Sequence, residues 1–375
     1  MPWKETTTMS EREEFIARAL EEEANMSALC RAYGISRKTG YKWLKRYRKT
    51  GRQGLREQSR RPRHSPNQTA GQVEQLILEA RQKHPAWGGR KLKRWLENKG
   101  HSGLPAPSTI TTILRRHGKL DGRESAKHRR YIRFEKARPN QMWQMDFKGH
   151  FALDNGRRCH PLTVLDDHSR FLVGLKACAD ETRHTVQQQL TDLFRTYGLP
   201  QRMLMDNGPP WGGDAYTPHT ILTVWLLRLR IHVSHGRPYH PQTQGKDERL
   251  HRTLKAELLS RTTFHALSDC QPAFDGWRDE YNFERPHEAL ALDTPDTRFA
   301  VSQRPFPETL PAVTFPDGCA IRRVDVNGRL SFQARRLRVG KAFGGQPVGL
   351  LPDVLEDGLV HVFFNDLHIR TLDLR

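Results

Sequence analysis

The chain has 375 residues, with 62 Lys and Arg against 42 Asp and Glu for a formal net charge of +20. That length allows two to four domains, and 36% hydrophobic residues can fill their cores. The charge selects a polyanionic partner, nucleic acid rather than a membrane, because no apolar run reaches the ~18–20 residues of a membrane span and the N-terminus carries no signal-peptide core.

The basic excess is uneven. Residues 31–65 hold thirteen Lys and Arg against one acid, Glu57. Ahead of them, Phe15, Ile16, Ala19 and Leu20 space as one helix face. Ser27 is a plausible cap for a second short helix, and Gly34 supplies the turn. Ser36 caps a third helix from Arg37 to about Tyr47. Ala32 would let the helices cross closely and Ile35 would plug the core. This is a helix-turn-helix pattern, whose third helix lies in the major groove. It presents Arg37, Lys38, Thr39, Lys42, Lys45 and Arg46 as DNA contacts.

Residues 10–50 thus form a first DNA-binding domain and 51–70 a basic linker. Over 71–118 a second helical unit follows. Val73, Leu76, Ile77 and Ala80 form an apolar stripe, Arg90 and Lys91 add charge, and Ser108 would cap a second recognition helix starting at Thr109. Residues 119–139 read as another basic linker.

From Gln141 the pattern becomes α/β. A strand over Met142–Ala152 meets a hairpin signal at Asn155-Gly156, and Leu162–Leu165 and Arg170–Lys176 continue the ribbon. Thr182–Tyr197 is helical, Arg202–Met205 is a buried strand ending at Asp206, and His219–Leu229 is helical before a strand near Arg230–Ser234. Helices over Gln244–Arg261 and Leu267–Phe283 close the layer, giving a domain over 140–298. Beyond it, Asn327-Gly328, Gly344-Gly345 and Asp357-Gly358 punctuate short strands, the mark of a small all-β barrel over 311–375 on an SH3-like scaffold. Cys30, Cys159, Cys178, Cys270 and Cys319 are scattered without a CxxC pair, as reduced thiols of a cytoplasmic protein would be.

Three acids on different elements, Asp146, Asp206 and Glu248, are a way to hold magnesium. Two such ions would serve an in-line displacement at a phosphodiester. Asp247 competes with Glu248. The two lie about 100° apart around the helix, so one faces the sheet, and the stripe Leu250, Leu254, Leu258 does not choose between them. Arg252 and Lys255 share a face with Glu248 and form a basic ridge for a DNA end. Asn207, Gln242 and Gln244 would order the active-site loop. His240 and His251 read as loop and surface residues, and Asp166 and Asp167 as turn residues.

Four segments carry a family resemblance: Trp143-Gln144-Met145-Asp146, Asp206-Asn207-Gly208, His240 through Arg249, and Tyr281 through Leu290. They resemble the DDE transposases of bacterial insertion sequences and the retroviral integrases. The resemblance implies a ribonuclease-H-like α/β core between a tandem helix-turn-helix region and the all-β module. It makes Asp146, Asp206 and Glu248 the catalytic and metal-holding triad, with Mg2+ as cofactor and Mn2+ as a substitute. It further implies end cleavage, strand transfer to target DNA, and a homo-oligomer that is at least a dimer on double-stranded DNA. Forty-one residues separate Asp206 from Glu248, more than is usual for the family, which points to an insert in the Gly- and Pro-rich stretch 209–220. A DNA-binding protein without strand transfer and a plain nuclease are the rival readings.

Overall fold

The computed structural model describes residues 7–59, 68–120, 135–212, 219–236 and 245–375. It forms two compact units, one ending at Gln68 and one beginning at Thr69.

In the first unit, α1 (Thr8–Ala19), α2 (Met26–Ala32) and α3 (Arg37–Thr50) enclose Phe15, Ile16, Cys30, Trp43 and Leu44. Leu20, expected on the inner face, is 48% exposed at the end of α1. Asn25, not Ser27, caps α2, accepting from the Ser27 and Ala28 amides. Ser36 caps α3 as expected, and Gly34 takes a left-handed φ of +63°. The close helix crossing belongs to Gly40, not Ala32: a Cβ there would lie 2.6 Å from Cys30 Sγ and 2.9 Å from Phe15 Cζ. The stretch read as a linker from residue 51 starts with a helical turn, Gly51–Leu55, that buries Leu55 completely.

The second unit begins with α4 (Gly71–Lys83), α5 (Gly89–Asn98) and α6 (Pro107–Arg116) around Ile77, Trp87, Leu92, Leu96 and Ile110. Pro107 occupies the first turn of α6 and Ala106 precedes it as the cap residue. Ser108 therefore lies inside the helix, because proline at this position already supplies the helical φ. Gly89 lets α5 and α6 touch, since a Cβ would lie 2.4 Å from the Pro107 carbonyl oxygen.

The mixed sheet that follows has β1 (Trp143–Phe147) between an antiparallel β3 (Arg158–Asp166) and a parallel β5 (Arg202–Met205). Beyond β5 lies the parallel β6 (His232–His235), β4 (Leu172–Cys178) pairs with β3, and the short β2 (Phe151–Ala152) pairs with the start of β3. One strand was expected over Met142–Ala152, but Gly149, at φ +79°, breaks it into β1 and β2. Helices α7 (Arg183–Tyr197) and α8 (Ile221–Arg228) cover one face of the sheet. The other is covered by α9 (Gly245–Leu254) and α10 (Leu267–Asp279), each prolonged by a π-helical turn, Lys255–Leu259 and Glu280–Glu284. Helix α8 is apolar all round: Leu222 and Leu226 face the sheet, while Val224 and Leu227 join the core of the C-terminal domain. That domain is small and all-β. A four-stranded antiparallel sheet of β7 (Ala320–Arg323), β10 (Pro347–Pro352), β11 (Leu359–Phe364) and β12 (Leu367–Asp373) shares one core with the hairpin of β8 (Arg329–Phe332) and β9 (Arg335–Arg338).

The second helical domain is docked on the two π-helical turns. Trp87 Nε1 donates to Glu257 Oε1 at 3.1 Å and Trp95 Nε1 to Glu284 Oε2 at 3.2 Å. His84 lies 3.0 Å from Glu280, and Arg94 reaches Asp293 at 2.9 Å. Helix α5 thus spends its polar face on the core.

Candidate active site

β1 and β5 run parallel, so the end of one lies beside the end of the other. Asp146 stands near the end of β1, opposite Thr163 of β3, and Asp206 directly follows β5. The charge of Asp206 reaches Asp146. Burial first, and that charge second, push the Asp146 carboxyl up to about 7. Asp206 is held by its own loop: the Gly208 amide donates to Oδ1 at 3.0 Å, and the Trp211 indole N–H donates to the same oxygen. Trp211 is fully buried and stacks on Phe147 of β1, with centroids 5.5 Å apart. His235, at the end of β6, lies 2.8 Å from the Asp206 carbonyl oxygen.

The inward face of α9 carries Asp247, Leu250, His251 and Leu254. This spacing of three and four residues is the buried stripe, and it includes Asp247. Glu248, Arg252 and Lys255 share the exposed face. The question left open by the leucine spacing thus has a structural answer: Asp247 faces the sheet and Glu248 faces solvent. Asp247 is 1% exposed and neither carboxylate oxygen has a hydrogen-bond partner. Burial first, then the charges of Asp146 and Asp167, hold its carboxyl well above the usual range.

His251 is not a surface residue. Its Nε2 lies 2.9 Å from Thr163 Oγ1, whose own proton goes to the Asp146 carbonyl oxygen at 2.9 Å. Nε2 is therefore the protonated nitrogen, and Nδ1 faces Asp146 Oδ2 at 3.9 Å. Burial, with Lys148 adding to it, lowers His251 to about 4, so the ring is neutral at physiological pH.

Asp166 and Asp167 form a turn, as expected, and Asp167 also ties the site together. It accepts from Gln144 Nε2 at 2.6 Å and pairs with Lys246 at the start of α9. The acid pair meets the demands of magnesium, since both members offer hard oxygen donors and their crowding is relieved by a cation. Among the described residues, no group of three or more His, Cys, Asp or Glu side chains is arranged to hold a metal ion.

The expected DNA contacts divide by place. On α3, Arg37, Lys38, Lys42 and Lys45 are exposed, while Arg46 is half-buried beside the Trp43 ring and the Thr39 hydroxyl bonds to Ser36. On α6, Ser108 and Thr109 are exposed, as is Arg90 on α5. Lys91 instead turns to the core, where burial first and then Arg285 lower it to about 7, with Glu257 and Glu288 opposing. The expectation of a DNA contact there gives way to a domain contact, because α5 is the docked helix. Asn207 donates to the Gly236 carbonyl oxygen at 2.9 Å, tying the exit of β5 to the exit of β6. Gln242, Gln244 and His240 lie outside the described residues. Trp211 and His251 were the residues not singled out as site components. For His251 the three-and-four spacing with Leu250 and Leu254 was a usable signal; for Trp211 the sequence held none.

The matches to known families give the class, an integrase-core protein of the polynucleotidyl-transferase kind with helix-turn-helix domains. Residues 136–241 and 229–295 match integrase core domain families, 11–63 a helix-turn-helix domain, 39–114 a homeodomain-like domain, and 319–375 the C-terminal domain of IS481 family transposases. An insertion element IS407 protein of Burkholderia multivorans is 26% identical over 76% of this chain and 95% of its own length. An insertion element IS476 protein of Xanthomonas euvesicatoria is 28% identical over 44% of this chain and 46% of its own. The Gag-Pro-Pol polyprotein of sheep pulmonary adenomatosis virus is 35% identical over 36% of this chain, which spans only 7% of that polyprotein. Among solved structures, the simian T-cell lymphotropic virus intasome in complex with a PP2A regulatory subunit matches at 19% identity. That match covers 81% of this chain and 100% of the other, with a TM-score of 0.37. The chain is of the bacterial insertion-sequence transposase type, with an integrase-like core.

Proposed function

We propose that this chain binds the terminal inverted repeats of its own insertion sequence, cleaves the phosphodiester at the element's end and joins that end to target DNA. The observation that carries the reading is the pair Asp146 and Asp206 at the ends of two parallel strands, where burial first and the charge of Asp206 second raise Asp146 to about 7. In the first step a water oxygen bonds to phosphorus and the 3′-oxygen leaves as a hydroxyl. In the second, that 3′-oxygen bonds to a target phosphorus as the target's own 3′-oxygen departs. Bonds are exchanged one for one, with no covalent protein–DNA intermediate.

Asp146, Asp206 and Glu248 would hold two magnesium ions, with manganese as a substitute, which when bound supply an activated oxygen nucleophile and a stabilised leaving oxygen. The protein's share is position and charge. Trp211 fixes one oxygen of Asp206 and leaves the other free. Neutral His251 supports β1 from below without adding charge. Arg252 and Lys255 hold the end by its phosphates on the face they share with Glu248. Helices α3 and α6 read the repeat, two protomers bridge two ends, and arginines of the all-β domain, including Arg322, Arg323, Arg335, Arg336 and Arg338, add contacts to the DNA backbone.

The test uses labelled duplexes carrying the repeats that flank the gene. They are incubated with Mg2+ and the protein, beside Glu248→Gln and an EDTA control. Nicking at the repeat tip with joined products, lost in both controls, is the expected result. Nicking without joining would make the protein a nuclease, and tight binding without either would make it a DNA-binding protein.

A further inference from the structure

The hairpin of β11 and β12 carries a convergence of side chains away from the acid pair and outside the all-β core. His361 Nδ1 lies 3.3 Å from His368 Nε2, and Thr371 Oγ1 lies 3.0 Å from each of them. The remaining ring nitrogens are engaged elsewhere. His361 Nε2 lies 2.6 Å from Asp353 Oδ2, and the His368 ring makes a hydrogen bond to the Arg370 backbone.

Asp353 is itself fixed. Its Oδ1 accepts from the Leu355 amide at 2.7 Å and the Glu356 amide at 2.9 Å. These bonds, the Glu356 amide foremost and then His361, hold the carboxyl down to about 2, so it is ionised and accepts. His361 therefore donates from Nε2, which leaves Nδ1 turned toward His368 and Thr371. His368 donates to the Arg370 backbone and keeps a lone pair on Nε2. Burial, and then His361, hold His368 below the usual histidine range, so it is neutral at physiological pH. Two imidazole nitrogens thus face each other across 3.3 Å, with the Thr371 hydroxyl 3.0 Å from both.

We propose that His361 and His368 form a binding site for a first-row transition ion of the zinc type, with the Thr371 oxygen at its side and solvent completing the shell. Two imidazole nitrogens each at the usual zinc distance and at a tetrahedral angle lie about 3.3 Å apart. Asp353 then serves as the carboxylate that orients a ligating histidine through its second nitrogen. His368 is exposed, which gives the ion a path in. The site is separate from the acid pair in chemistry as well as place, since imidazole suits zinc and carboxylates suit magnesium.

The full-length protein is titrated calorimetrically with Zn2+ in excess Mg2+, which occupies carboxylate sites and leaves imidazoles free. The wild type is expected to bind one more equivalent than His361→Ala or His368→Ala. Asp353→Asn is expected to weaken that equivalent about 10–100-fold. His368 is exposed, so its variant should melt like the wild type without metal, and that melt is the folding control. Equal zinc stoichiometry and affinity in the wild type and a folded His368→Ala would overturn the proposal.

Discussion

Replacing Asp247 by Val removes a buried carboxyl that bonds to nothing and puts an apolar side chain of similar size in its place. A buried polar group without a partner costs about 1–3 kcal/mol in mutational data. Valine and aspartate have about the same helix propensity, so the backbone adds little to the difference. The metal-free variant should therefore be more stable at neutral pH, with a melting temperature higher by a few degrees. The sign with pH is fixed by the direction of the shift. The folded carboxyl titrates above its unfolded value, so the folded state holds the proton longer, and wild-type stability declines as pH rises through about 4 and onward. The advantage of the variant should be small near pH 4 and grow toward pH 7, as read by thermal melts in EDTA at several pH values. A variant less stable at pH 7, or an advantage that ignores pH, would refute the argument. End cleavage separates the two acids: Asp247→Val should cleave, whereas Glu248→Gln should not. A stable Asp247→Val that fails to cleave would move the third-acid role to Asp247.

Trp211→Phe keeps the stack on Phe147 and loses the N–H to Asp206, so magnesium affinity measured calorimetrically should fall about 10-fold or more; an unchanged isotherm would mean that the indole does not orient the acid. Gly40→Ala pushes a methyl into Cys30 and Phe15 and should cost about 1–3 kcal/mol in denaturant unfolding, unless α2 and α3 can part freely. Lys42→Ala should lower the salt dependence of repeat binding by about one unit of log–log slope, and an unaltered slope would take Lys42 off the DNA face.

The layer order and most element ends were legible because they rest on local chemistry, such as Ser36 as a cap and Asn155-Gly156 as a turn. The acid pair was legible as positions, since strand ends are local too. What the sequence could not carry was contact between distant segments. Trp87 and Trp95 pack in the core of their own domain, but their indole nitrogens bond to Glu257 and Glu284, 170 and 189 residues away. Lys91 shares that blind spot, because its partners lie on the far side of the chain. His251 was misjudged for a related reason. A polar residue on a buried stripe looks like a surface residue until the sheet beneath it is known. The match to retroviral and insertion-sequence proteins favoured Glu248 over Asp247, and packing alone would have chosen the reverse.

The clasp between the second helix-turn-helix domain and the π-helical turns makes the protein a ruler. On the proposed function, DNA bases read by α6 and a phosphodiester cut at Asp146 and Asp206 would be held apart by protein, since Trp87, Trp95, His84 and Arg94 pin one domain to the other. The number of base pairs between the read sequence and the cut bond would then be a property of the chain. Inserting half a helical turn of DNA between them should abolish cleavage while leaving binding intact.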